Sequence, residues 1–135
     1  MHLPSSADQI RRFECLRITD IETRDWVSIP GEVLGVWDGE DAAATAELIS
    51  DLPDGELMRC FLPRYSVRAH GAEGVLFELA FCFRCNGVLT LLPGRAEHEL
   101  DPFDAESAPA RRLLEKFKAI DPKPAVPRGS QAPLS

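Results

Sequence analysis

The sequence predicts an α+β fold: an antiparallel sheet of about five to six strands with two helices packed on one face. Three observations predict it. Strand-like and helix-like segments follow in the order β-β-α-β-β-β-β-α, joined by short turns. Val75 to Cys85 alternates apolar with mixed residues and runs straight into Asn86-Gly87, the strongest short-range hairpin signal. Segments 40–51 and 107–119 carry apolar residues at helical spacing.

Residues 1–12 are polar, contain Pro4, and read as a flexible arm with at most one helical turn. In Phe13 to Asp20, Leu16 and Ile18 alternate with Arg17 and Thr19, the pattern of a strand. After a polar connection and the turn pair Pro30-Gly31, Glu32 to Trp37 is a second strand. The helix from Glu40 to Asp51 is rich in alanine, can be capped by Asp38 or Asp41, and would bury Ala44, Leu48, Ile49 and Leu52. Pro53 stops it, and Asp54-Gly55 turns the chain.

Leu57 to Leu62 reads as a third strand, interrupted by Pro63 at an edge or bulge, and Tyr65 to His70 as a fourth. In the hairpin, Val75, Phe77, Leu79, Phe81, Phe83 and Cys85 would share the core face, and Pro93-Gly94 ends the return strand. Residues 95–106 read as a polar connection pinned by Leu100 and Phe103. Ser107 caps a helix running to about Ala119, with Leu113, Leu114, Phe117 and Ile120 as its buried stripe. The domain thus spans 13–120, followed by a proline-rich, disordered tail at 121–135.

With 135 residues and 44% apolar content, the chain suits one domain with a single core. Its net charge of −7 argues against nonspecific nucleic-acid binding, which depends on neutralising phosphate. The charge is uneven: residues 1–58 hold 13 acidic and 4 basic side chains, residues 59–135 hold 9 and 11. An ordinary solvated surface explains such a split, and so does an acidic face that meets a basic partner. No apolar run reaches the roughly 20 residues of a membrane span, and no signal-peptide core is visible, so a cytoplasmic location is expected. Arginine outnumbers lysine 12 to 3 and alanine is abundant, a codon bias that suggests a GC-rich bacterial genome.

Cys82-Phe83-Arg84-Cys85 is the only CxxC, and it has three readings. As a zinc knuckle, it would grip metal through two thiolates at a hairpin tip, with Asn86 taking the left-handed turn. Zinc needs more ligands, and Cys60 would have to join, with Cys15, His70 or His98. As a redox pair it lacks an adjacent helix N-terminus in sequence. As core packing it fits the alternation: on a flat strand closed by a two-residue turn, Cys85 lies opposite Val88, Cys82 lies opposite Leu91, and the thiols point to opposite faces.

Glu97-His98-Glu99 with Asp101 and Asp104 gathers carboxylates around an imidazole, though a solvated loop accounts for it. Arg59, Arg64, Arg68 and Arg84 lie near the cysteines, and Arg64 after Pro63 would suit an anion or cap a sheet edge. Glycine-rich phosphate loops, Gly-x-Ser-x-Gly and His-Glu-x-x-His are missing from the sequence. The reading is therefore non-enzymatic.

Arg59-Cys60-Phe61-Leu62-Pro63-Arg64-Tyr65, then Cys82-Phe83-Arg84-Cys85, then a helix after Phe103-Asp104, resembles a group of small uncharacterised bacterial proteins. Their pattern is roughly R-C-F-x-P-R-[HY]-G, a strand, I-C-F-E-C, a second strand and a closing helix. The chain departs from it at Ser66 and Arg84. The resemblance implies that Cys60, Cys82 and Cys85 form one constellation; it implies no activity. The resulting expectation is a small binding protein of immunity- or antitoxin-like kind with a basic protein partner and no cofactor. The alternatives are a small zinc protein using Cys60, Cys82 and Cys85, and a thiol oxidoreductase.

Overall fold

Strand periodicity dominates the chain, and one antiparallel sheet results. A computed structural model describes residues 1, 3–20, 26–58, 61–95 and 98–123. The strands are β1 (Arg12–Ile18), β2 (Gly31–Asp38), β3 (Tyr65–His70), β4 (Val75–Cys82), β5 (Gly87–Leu91) and β6 (His98–Pro102). Their order is β2-β1-β3-β4-β5-β6, every neighbouring pair antiparallel. Helices α1 (Gly39–Ser50) and α2 (Ala108–Ile120) complete the α+β fold, with a 3₁₀ turn at Ser5–Gln9. None of the described helices is long and apolar enough to cross a membrane.

Both helices pack on one face of the sheet. There Phe13, Cys15, Val67, Phe77, Leu79 and Phe81 meet Ile49, Leu113 and Phe117 in one buried cluster. Phe117 lies at its centre, stacked on Tyr65 with ring centroids 4.8 Å apart and tilted against Trp37 at 5.1 Å. Ser107 caps α2 as expected, its Oγ accepting from Ala110 N at 3.4 Å. Helix α1 is rotated from the expected stripe. Ala42, Thr45 and Ile49 are its buried residues, whereas Ala44 is exposed and Leu48 half-buried. Thr45 fits inside because its hydroxyl donates to the Asp41 carbonyl at 2.8 Å, which leaves no bare donor.

The opposite face is buried too. Trp26, Ile29 and Phe61 cover Ile18, Ala80, Cys82, Cys85, Leu89 and Leu91 in a second cluster. Consequently β4 is buried continuously from Phe77 to Cys82, and β5 throughout.

Three expected elements differ. Leu57 to Leu62 is no strand in its described residues: 57, 58, 61 and 62 are irregular, and their composition alone mimicked one. Pro63 is accordingly buried in a connection instead of lying at a sheet edge. Residues 98–102, read as a polar connection, form the outer strand β6, because pairing with β5 supplies what local pattern does not. The hairpin turn spans four residues, Phe83 to Asn86, so Cys82 pairs with Gly87 and Phe81 with Val88. Asn86 does take the left-handed turn, at φ 54°.

Candidate functional site

The four-residue turn changes the cysteine geometry. A flat strand would send the thiols to opposite faces; the turn brings Cys85 back beneath Cys82, in the same buried cluster. The Cys85 thiol donates to the Cys82 carbonyl at 3.9 Å. The backbone N–H groups of Leu62 and Gly87 lower the Cys85 thiol. Burial, then the neighbouring Cys82, pushes the Cys85 thiol up to about 12, more than those two N–H groups lower it. As a free thiol, Cys85 is therefore protonated at neutral pH and a poor nucleophile.

Residues 53–58 wrap this turn. Met58 N donates to the Cys85 carbonyl at 2.9 Å. The Asn86 side chain donates to the Glu56 carbonyl at 3.0 Å and accepts from Ala105 N at 3.1 Å. Gly55 passes so close to β6's exit that an added Cβ would stand 2.3 Å from the Phe103 carbonyl oxygen, which excludes any side chain there.

The other expected ligands scatter. Cys60, Arg59 and Glu97 lie outside the described residues. Cys15 is in the helix-side core, its thiol pushed up to about 12 mainly by burial. His70 bonds Glu14 at 3.1 Å. His98 pairs with Leu91, four residues along β6 from the Pro102 level with Cys82 and Gly87. At about 3.4 Å per residue, that separation is about 14 Å. Asp104 accepts from Glu106 N at 2.9 Å and serves the turn into α2. Among the described residues, no group of three or more His, Cys, Asp or Glu could hold a metal ion.

Two charged clusters were not visible in the sequence. On the face away from the helices, Glu14, Arg68 and Glu78 stand in register across β1, β3 and β4. Arg68 bridges both carboxylates at 3.2 Å and donates to the Ile29 carbonyl at 2.9 Å. Buried Glu78 accepts from Ile29 N at 3.0 Å and Ser28 Oγ at 3.1 Å. Burial pushes Glu14 up, but its bonds to His70 and Arg68 outweigh that and hold it below the usual range. This row clamps the loop carrying Trp26 and Ile29 onto the sheet. The second cluster lies at the end of α2: fully buried Asp121 accepts from Tyr65 Oη at 2.7 Å, from Arg17 and from Lys123 N at 2.9 Å. Burial first, then the bond to Asp121, raises the Tyr65 hydroxyl. Both clusters are internally paired, which suits a structural part.

The acidic half resolves into one surface. Asp38, Glu40, Asp41, Glu47, Asp51, Asp54 and Glu56 are all exposed, from the end of β2 along α1 to the turn beyond it. No lysine or arginine occurs between residues 38 and 58. Lys116 of α2 bonds one of these carboxylates, Asp41, and the Met1 ammonium lies at the end of α1 on the Ser50 and Leu52 carbonyls. Comparison with family models, with characterised proteins and with solved structures yields no match to this chain, which leaves its own residues as the basis for a functional assignment.

Proposed function

We propose that the protein is a small binding protein, immunity- or antitoxin-like in kind, whose acidic α1 surface docks a basic protein partner. The observation that carries this reading is the placing of the carboxylates. Glu40 and Asp41 suit the positive N-terminal end of α1; Glu47 and Asp51 sit at its negative end, where the last turn has no basic side chain and the Met1 ammonium bonds the Ser50 and Leu52 carbonyls. Exposed Glu40, Glu47 and Asp51 recur at helical spacing along the outward side of α1, a row of charge that suits an external basic partner. Reversing Glu40, Glu47 and Asp51 to lysine tests it. Protein bait capturing a partner at 0.15 M salt should lose affinity at least about tenfold on reversal, about 1.4 kcal/mol. Melting temperature should hold, because the gain from reversing Glu47 and Asp51 at the helix end offsets the loss from reversing Glu40 at its start. Equal capture by the reversed protein, or no partner at all, sinks the proposal.

A second reading, thiolate zinc binding by Cys60, Cys82 and Cys85, is favoured by Cys82 and Cys85 lying in one buried cluster and by the Leu62 and Gly87 N–H groups, which lower the Cys85 thiol. The segments flanking Cys60 reach the same turn, through Met58 N on the Cys85 carbonyl and through Phe61 in the buried cluster of Cys82 and Cys85. A bound zinc would hold the turn closed and displace the thiol protons. Protein purified without chelator should then hold more than about 0.5 zinc per chain, and less than about 0.1 ends this reading, since thiolate sites bind tightly. A redox part is not favoured, because Cys85 forms so little thiolate.

A further inference from the structure

The two edges of the sheet are unequal. Strand β6 is five residues long, exposes Glu99 and Asp101, and ends in Pro102, all features that discourage a further strand. Strand β2 is eight residues long, with its charges confined to Glu32 and Asp38 near its ends. Between them Val33 and Val36 are 50% and 48% exposed.

Their placement follows from a bulge. Cys15 pairs with Gly35 and Leu16 with Val33, so Leu34 is an extra residue in β2. Without it, positions 33 and 36 would face opposite ways. With it, Val33 lies beside Leu16 and Val36 beside Glu14, both on the face away from the helices. Two half-exposed, β-branched side chains thus share one face of an outer strand, although a bulge more often serves to blunt an edge.

We infer that β2 accepts an extended strand from a basic partner, extending the sheet through the edge that no described strand pairs. This rests on the acidic-docking reading and specifies how the partner is held: the α1 carboxylates attract it, and the β2 backbone pairs with it. The occupant is identified by charge. Glu32, held by Arg17 at 2.6 Å, and exposed Asp38 flank the valines, and β2 runs directly into exposed Glu40 and into Asp41, which Lys116 bonds. An incoming strand with apolar residues over the valines and lysine or arginine at its ends complements that array. A second copy does not. Antiparallel self-pairing would set Glu32 and Asp38 of each copy against the same acidic ends of the other, between chains of net charge −7.

The test uses the full chain and two synthetic ten-residue peptides of equal charge, one alternating Lys and Val, the other alternating Lys and Pro. Proline cannot complete a ladder. The Lys-Val peptide should slow amide exchange across Val33–Trp37 at least tenfold, the Lys-Pro peptide should not, and V33K/V36K should abolish the effect. No slowing, or equal slowing by both peptides, overturns strand addition. Slowing that depends on protein concentration without peptide overturns it in favour of a second copy. Binding of both peptides through α1, lost on reversal of Glu40, Glu47 and Asp51 and without protection of β2, would sink strand addition while leaving acidic docking standing.

Discussion

Phe117→Ala is expected to destabilise the protein by about 4 kcal/mol, near the upper part of the range for emptying a buried aromatic site. The ring is fully buried, and its four aromatic neighbours come from four different places in the chain: Trp37 in β2, Tyr65 in β3, Phe81 in β4 and Phe83 in the turn. A cavity bounded by a sheet on one side cannot collapse by a simple helix shift, because Ala110 and Leu113 anchor the same helix. Domains of this kind have about 5–15 kcal/mol in total, so the variant should be folded but fragile. Urea titration measures the change directly, and Phe117→Leu should recover more than half of it. A loss below about 1.5 kcal/mol would mean that α2 is not bound to the sheet through this ring.

Asp121→Ala should cost about 3 kcal/mol at neutral pH, because it strands the largely buried Arg17 guanidinium and the Tyr65 hydroxyl. Arg17 keeps Glu32, at 2.6 Å, which limits the loss. The pH dependence has a definite sign. Burial alone would raise the Asp121 carboxyl, but hydrogen bonds from Tyr65 and Lys123 and the charge of Arg17 hold it below its ordinary 3.8. A carboxyl depressed in the folded state stabilises fully above its unfolded value and ceases to do so as pH falls through its folded value. The gap between wild type and Asp121→Ala should therefore be flat from neutral pH down to about 4 and shrink below that. Denaturation at stepped pH reads the gap, and one that stays constant in strong acid would show that the charge on Asp121 is not what holds α2.

How much of this was legible depends on where each interaction partner sits. The core face of β4 and the cap and stripe of α2 were readable because Phe77, Leu79 and Phe81, and Ser107, Leu113 and Phe117, express local periods of two and 3.6. β6 was not, since its polar sequence becomes a strand only beside β5, where Leu100 meets Leu89. The geometry of the CxxC depends on one quantity, turn length: Asn86 takes the left-handed position its sequence suggests, but four turn residues instead of two reverse the direction of Cys85. The Glu14–Arg68–Glu78 row depends on the register of three strands far apart in sequence. One hint of it existed, a lone Glu78 inside an otherwise apolar run, which a buried carboxylate with partners explains. The acidic surface was half visible: the charge excess could be counted, but its gathering along α1 required the helix to be placed.

Burial of the sheet on both faces has a consequence for how such a protein diverges. Six consecutive residues of β4 and all five of β5 are enclosed, so selection for folding leaves them little freedom. The outward face of α1 and the outer edge of β2 carry no such restriction. Descendants of one ancestor would keep the enclosed strands and rewrite the periphery as their partners changed. The stretch by which kin are recognised is then the stretch least informative about what each of them binds.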